Sequence, residues 1–115
     1  MSAYLRPVLD STSDVNVPAA NAAATVTYPA VAGAQHCLSG LAWSYAGGTP
    51  TGGNLQVQDG NGNVVFTMDI TAAGPGQVYF RPAKKGTANT AMTITLAAGG
   101  AGVSGKLSVL GHWTE

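Results

Sequence analysis

Residues 54–70 read NLQVQDGNGNVVFTMDI, and this stretch decides the fold class. Leu55 and Val57 alternate with polar neighbours before the glycine-containing centre, and an apolar run starting at Val64 follows it. Asp-Gly and Asn-Gly pairs between two such runs are a strong hairpin signal, because glycine accepts the positive φ that these turns need. The stretch therefore predicts two antiparallel strands joined by a tight turn.

Strand patterns continue on both sides of this hairpin. They cover residues 24–28 and 35–45 before it, and residues 77–82, 91–96 and 103–113 after it. Turn segments rich in glycine separate them, at residues 47–53, 74–76, 84–86 and 99–102. Strands that recur at such short intervals are typical of sandwiches and jelly rolls. We predict an all-β, jelly-roll-like β-sandwich of about seven or eight antiparallel strands, forming a single domain over residues 23–115.

Side-chain alternation predicts which residues share a face. In the run 35–45 (QHCLSGLAWSY) it places Cys37, Leu41 and Tyr45 on one face, and His36 and Leu38 on the other. The hairpin and the last strands supply most of the expected core, which comprises Val57, Phe66, Met68, Ile70, Ile94, Leu96, Leu107 and Val109.

Residues 1–22 show neither a helical nor a strand period. Two prolines flank a polar stretch there, which opposes a regular helix or a central strand. We predict an extended N-terminal arm that becomes ordered on a partner. Its apolar side chains, together with the tryptophan near the C-terminus, are the predicted partner-binding residues: Tyr4, Leu5, Val8, Leu9 and Trp113.

The composition indicates a surface that partners cover. Charged residues make up 9% of the 115-residue chain, against about 25% in typical soluble domains. The net charge of zero argues against a nucleic-acid binder, which normally carries a basic face. The cations of the last third are interpreted as solvated charges at strand ends rather than a phosphate site; they are Arg81, Lys84, Lys85 and Lys106. No run approaches a membrane span and no signal peptide is evident, so we expect assembly in the cytoplasm.

Few side chains could perform catalysis. The two carboxylates that might act as an acid/base pair, Asp59 and Asp69, flank one hairpin, where turn and edge roles are favoured. His36 and Cys37 are neighbours on a strand and point to opposite faces, so they do not form a nucleophile–base pair. We predict no catalytic residue, and therefore no enzyme.

Metal and cofactor sites are also not expected. His36, Cys37 and His112 lack the spacing of a transition-metal site. The loop DGNGN at residues 59–63 has oxygen ligands at alternate positions but lacks the later bidentate glutamate of a calcium loop, and a tight hairpin explains it. For the aromatic residues Trp43 and Tyr45 two interpretations remain, a platform on which a sugar stacks and an anchor for the core, and the core is favoured.

Residues 38–76, LSGLAWSYAGGTPTGGNLQVQDGNGNVVFTMDITAAGPG, and residues 89–115, NTAMTITLAAGGAGVSGKLSVLGHWTE, carry a family resemblance. They resemble the capsid decoration (cement) proteins of tailed phages, in particular the jelly-roll cement protein of Bordetella-type podophages. The segments DITAAGPG and LAAGGAG are the most specific parts, and the N-terminal arm matches nothing in the family.

The resemblance implies a structural virion protein and transfers no catalytic residue. Such a protein binds the outside of the capsid across junctions of the major capsid protein and stabilises the shell. The implied partners are the major capsid protein and further copies of this chain, as a homodimer or homotrimer, with neither nucleic acid nor membrane. The alternative hypothesis is a receptor- or carbohydrate-binding β-sandwich module, similar to a fibre knob.

Overall fold

The computed structural model describes residues 14–115, and this part of the chain consists of strands and connecting turns. The strands are β1 (Val15–Asn16), β2 (Ala24–Tyr28), β3 (His36–Ala46), β4 (Asn54–Asp59), β5 (Val64–Asp69), β6 (Gly74–Lys85), β7 (Met92–Leu96) and β8 (Ser104–Thr114). Across residues 14–115, no helix is long and apolar enough to cross a membrane.

The eight strands form two antiparallel sheets of four. Sheet A has the order β1-β8-β3-β6, and sheet B has the order β2-β7-β4-β5. Sequence neighbours such as β2 and β3 lie in opposite sheets, which is the arrangement of an eight-stranded jelly roll. The predicted all-β sandwich is confirmed, including its number of strands.

The hairpin predicted from residues 54–70 is present as β4 and β5. Val57 lies opposite Phe66, and Leu55 opposite Met68. The amide of Asp59 donates to the carbonyl of Asn63 over 3.0 Å, which closes a three-residue loop. Gly62 takes a φ of +83° in this loop, a conformation that glycine adopts without steric cost.

The core lies between the two sheets. Five of the eight expected core residues are buried: Val57, Ile70, Ile94, Leu96 and Leu107. Phe66, Met68 and Val109 are only partly buried and pack against the rim of the core. The first two lie on β5, the outermost strand of sheet B, and Val109 precedes an irregularity in β8.

Strict alternation along residues 35–45 is wrong, because β3 contains a bulge. Its register with β6 and with β8 shifts between Leu38 and Gly40. Leu38 and Leu41 therefore both enter the core, although they are three residues apart. Cys37 pairs with Lys85 and Trp113 on the opposite face from Leu38.

Strand β6 is longer than predicted. Residues 74–76 and 84–85, which were expected to form turns, belong to the strand, and only Gly86 lies outside it. Gly76 lies opposite Trp43 of β3. A Cβ on Gly76 would lie 2.4 Å from Cζ2 of that indole ring, so the glycine serves close packing rather than a turn. The turn before β6 falls instead at residues 71–73.

Residues 14–22, which the sequence assigns to the arm, run along the sandwich. Within them β1 pairs with β8, and Val15 lies opposite Ser108. The amide of Asn21 donates to the carbonyl of Val103 over 2.8 Å, and Asp14 accepts a hydrogen bond from the Tyr28 hydroxyl. Four of the predicted partner-binding residues lie outside the described residues: Tyr4, Leu5, Val8 and Leu9.

The different burial of two core candidates gives a stability prediction. Ile94→Ala should lower the free energy of unfolding by about 2–5 kcal/mol, because Ile94 is fully buried and the truncation leaves a cavity. Phe66→Ala should cost less than Ile94→Ala, since the Phe66 ring lies at the rim. Urea unfolding measures both, with Thr27→Ala on the exposed face of β2 as the control. A loss for Phe66→Ala equal to or above that for Ile94→Ala would contradict this packing.

Candidate functional site

Two of the three residues considered for metal binding, His36 and His112, form a hydrogen-bonded aromatic cluster with Tyr28. Nδ1 of His36 and Nε2 of His112 are 2.8 Å apart, and Nε2 of His36 donates to the carbonyl of Pro29 over 2.8 Å. Since a carbonyl only accepts, Nε2 of His36 carries a proton, and its Nδ1 is free to accept from His112. The Tyr28 ring stacks on His112 with ring centres 3.6 Å apart. Burial, and then Asp14, raises the pKa of Tyr28 far above its ordinary value.

Cys37 lies apart from this cluster. As predicted for strand neighbours, it faces away from His36, and the two form no nucleophile–base pair. The thiol is fully buried, and burial, followed by the nearby Glu115 carboxylate, raises its pKa. Within residues 14–115, no three histidine, cysteine or carboxylate side chains are grouped closely enough to hold a metal ion.

The Asp59 carboxylate is satisfied by its own loop and by a neighbouring turn. Its Oδ1 accepts the amides of Asn61 and Asn63, at 2.9 and 3.0 Å. Its Oδ2 accepts the Asn63 side-chain amide at 3.1 Å and the Thr87 hydroxyl at 2.5 Å. These donors occupy the oxygens that a calcium ion would need, so the hairpin interpretation of residues 59–63 is the better one.

Asp59 and Asp69 do not form a carboxylate pair. Asp69 lies opposite Asn54, at the other end of the hairpin from Asp59. Asn54 and Asp59 are five positions apart on β4, roughly 17 Å at about 3.4 Å per residue. The described residues therefore bring together no acid and base at this hairpin.

The proposed sugar platform of Trp43 and Tyr45 is not available. Tyr45 is 1% exposed, and its hydroxyl donates to the carbonyl of Ala97 over 2.5 Å. Trp43 is partly buried and packs against the core beside Gly76. Both side chains anchor the core, as the favoured interpretation predicted.

Trp113 lies near the end of β8 and is partly exposed. Its Nε1 donates to the Glu115 carboxylate over 3.3 Å, and the same carboxylate pairs with Lys85 at 2.8 Å. Lys85 is therefore engaged in an ion pair rather than part of a phosphate site. Lys106 lies elsewhere on sheet A, opposite Ser44.

The outer face of sheet A carries exposed apolar side chains that the sequence did not single out. Val15 on β1 and Tyr79 on β6 are 46% and 62% exposed, and the bulge residue Leu110 on β8 is 45% exposed. We call Val15, Tyr79, Leu110 and Trp113 the apolar face. Its centre is built of small residues, since Gly40, Ala42, Ser44 and Ser108 lie between these side chains.

Tyr79 owes its position to Gly40. The two residues are register partners, and a Cβ on Gly40 would lie 2.9 Å from the Tyr79 ring. The ring thus lies against the bare backbone, and its hydroxyl donates to the Gln77 side-chain oxygen over 3.3 Å. A glycine inside a long strand often marks such a close approach, and Gly40 was the signal in the sequence that could have revealed it.

A shallow pocket adjoins the apolar face along β6. Its volume is about 430 Å³, and we call it the β6 pocket. Its lining comprises Phe66, Val78, Tyr79, Phe80, Arg81, Pro82, Ala83 and Lys84. Two further hollows are smaller, about 310 Å³ beside Ile70 and about 250 Å³ beside Trp43.

The outer face of sheet B is different in chemistry. It is lined mainly by uncharged polar side chains, with the Asp69 carboxylate at one end; the uncharged ones are Thr25, Thr27, Gln56, Gln58, Thr67, Thr93 and Thr95. One exposed valine, Val64, lies beside Gln58 at the hairpin end of this face. The outer face of sheet A thus carries four exposed apolar side chains among polar ones such as Lys106 and Gln77, whereas the outer face of sheet B carries one, Val64.

No protein-family model and no curated protein matches the sequence. Among solved structures, the chain is similar to a family 36 carbohydrate-binding module in complex with calcium and xylotriose, with 13% identity and a TM-score of 0.41 over 86% of this chain and 76% of that one. It is also similar to a family 35 carbohydrate-binding module from Cellvibrio japonicus, with 18% identity and a TM-score of 0.45 over 85% of this chain and 74% of that one. A third similar structure is an arabinose-bound family 51 α-L-arabinofuranosidase, with 16% identity and a TM-score of 0.46. The match covers 96% of this chain but 21% of the enzyme. These likenesses concern the β-sandwich fold alone.

The Asp59 network predicts a dependence of stability on acid. The Thr87 hydroxyl, followed by the donors of Asn63 and Asn61, outweighs the effect of burial and lowers the pKa of Asp59 to about 2. Because an unfolded aspartate titrates near pH 4, the network stabilises the fold above that pH, and the contribution is lost as the pH falls from about 4 to about 2. Unfolding measured across this range should show a smaller acid loss in Asp59→Asn than in the wild type. Asp69→Asn, at the other end of the hairpin, is the control. An equally reduced loss of stability in acid in both variants would refute the assignment of this pH dependence to Asp59.

Proposed function

We propose that this chain is a non-catalytic structural protein that decorates the outside of a tailed-phage capsid. It binds across junctions of the major capsid protein, stabilises the shell there, and is assembled onto it in the host cytoplasm. One observation carries the proposal: exposed apolar side chains are concentrated on the outer face of sheet A, with Val15, Tyr79, Leu110 and Trp113, whereas sheet B exposes Val64 alone.

The apolar face is suited to a protein surface. Val15 and Leu110 are aliphatic and nearly half exposed, and aliphatic side chains gain free energy mainly by burial against other apolar atoms. The small residues between them, such as Gly40 and Ala42, let a partner approach the sheet closely. A capsid shell offers a large ordered surface of this kind, and many copies on one shell make a modest contact sufficient.

The sparse charge of the chain agrees with this role. A surface that is covered in the assembled particle does not depend on charge to remain soluble, whereas a free monomer with zero net charge is prone to association. The resemblance of residues 38–76 and 89–115 to cement proteins supports the same function. The predicted arm, with Tyr4, Leu5, Val8 and Leu9, and the exposed Trp113 would add contacts beyond the sheet.

Self-association is part of the proposal. Strand β6 is twelve residues long and forms the edge of sheet A, so one side of it has no strand partner among residues 14–115. An unpaired edge is a template for pairing with another chain. A homodimer or a homotrimer could use this edge.

Matched substitutions to serine test the apolar face. Val15→Ser and Leu110→Ser should each weaken binding to undecorated shells about fivefold, since each removes about 1 kcal/mol of apolar burial. Val64→Ser is the control, because Val64 is 50% exposed but lies on sheet B. Shell occupancy is measured by co-sedimentation over a range of protein concentrations. Equal loss in all three variants, or loss in Val64→Ser alone, would contradict the proposed orientation.

The same assay tests the arm. Deletion of residues 1–13 leaves β1 and the Asp14–Tyr28 contact in place, whereas a longer deletion would remove both. The truncated chain should keep its unfolding midpoint and should occupy fewer sites at equal concentration. Saturation equal to that of the full-length chain would exclude the arm as an attachment element.

A second candidate function is carbohydrate binding, and the geometry of Tyr79 favours it. The ring is 62% exposed, is fixed against Gly40, and borders the β6 pocket. An exposed aromatic ring with polar groups nearby can stack against the apolar face of a sugar. Binding on a glycan array that disappears in Tyr79→Ala, without shell binding, would favour this function over capsid decoration.

A further inference from the structure

The β6 pocket is produced by an interruption in sheet A. Tyr79 pairs with Gly40 and Lys84 pairs with Leu38, so four residues of β6, from Phe80 to Ala83, have no partner on β3. This segment and Phe66 of β5 line the shallow hollow of about 430 Å³. That volume lies within the range of small-ligand sites, about 300–1,000 Å³.

One wall of the pocket is aromatic. Phe66 packs edge to face on the buried Phe80, with ring centres 4.8 Å apart. Tyr79, the neighbour of Phe80 on β6, lies on the outer side of the strand, where its ring is held by Gly40 and by its hydrogen bond to Gln77. The Tyr79 ring is therefore held in place at the edge of the pocket before any ligand binds.

Two cations in the lining, Arg81 and Lys84, have no ion-pair partner among residues 14–115. The single ion pair in that part of the chain joins Lys85 to Glu115. The remaining described carboxylates are engaged elsewhere, Asp14 by Tyr28, Asp59 by its loop, and Asp69 by Asn54. A guanidinium can hold a carboxylate through two parallel hydrogen bonds, which fixes the orientation of the ligand.

We propose that the β6 pocket binds an acidic sugar, with a uronic acid unit of a polysaccharide as its ligand. The apolar face of the pyranose ring lies on Tyr79, and the carboxylate lies between Arg81 and Lys84. An acidic peptide would satisfy the cations but has no rigid ring to cover Tyr79, so a sugar fits both features. This inference rests on carbohydrate binding, the second candidate function.

Calorimetric titration of the full-length chain tests the proposal. The probe is an oligogalacturonide, compared with the same oligosaccharide after reduction of its carboxylates to alcohols. The acidic probe should bind at least tenfold more tightly than the reduced one, and its affinity should fall with added salt. Arg81→Gln and Tyr79→Ala should each weaken binding at least tenfold.

Lys106→Gln is the matched control. Lys106 is an exposed cation of the same sheet, but it lies opposite Ser44, four positions along β3 from Gly40. This variant should bind within twofold of the wild type, and thermal unfolding verifies that all variants fold.

Three results would overturn the inference. Equal binding of the acidic and reduced probes would show a neutral sugar site, in which case carbohydrate binding survives and the acidic preference fails. Equal losses in Lys106→Gln and Arg81→Gln would show a diffuse charge effect. Binding of polyglutamate, with no binding of either sugar, would assign the pocket to an acidic protein. Shell occupancy is a separate assay, so its result does not depend on any of these titrations.

Discussion

Both faces of sheet A depend on the bulge in the central strand β3. Relative to β8, β3 has one extra residue between Leu38 and Gly40, and this lets Leu38 and Leu41 both enter the core. The same shift places Gly40 on the outer face, where its missing side chain leaves room for the Tyr79 ring. One local irregularity thus completes the core on one side of the sheet and builds the exposed surface on the other. Bulges commonly redirect side chains in this way next to functional surfaces.

The sequence predicts the fold where local chemistry and burial agree. The turn at residues 59–63 contains its own glycines and capping carboxylate, and Ile94 and Leu96 follow strict alternation, so both were predictable. The bulge in β3 and the glycines of β6 were not, because contacts between distant strands decide them. Gly76 is a strand residue only because Trp43 packs on it. The exposed site was missed for the same reason, since Tyr79 follows an ordinary strand pattern and only its partner Gly40 distinguishes it.

The two proposed roles meet at one side chain. Tyr79 belongs to the apolar face and also borders the β6 pocket, so a shell contact over its ring and a sugar stacked on it would exclude each other. Val15 and Leu110 do not line the β6 pocket, so only the proposed shell contact involves them. The polar threonine and glutamine side chains of sheet B need no partner, because water satisfies them. In the proposed attachment, sheet A is the covered face and sheet B is the solvated face.

The orientation of the bound domain tests this account most directly. Electron cryomicroscopy of shells decorated with the full-length chain would show which sheet contacts the major capsid protein. The account predicts that β1, β8 and β6 of sheet A face the shell, and that Thr27, Gln56 and Thr93 of sheet B face solvent. Density with sheet B against the shell, or shells that remain bare at saturating protein, would contradict it.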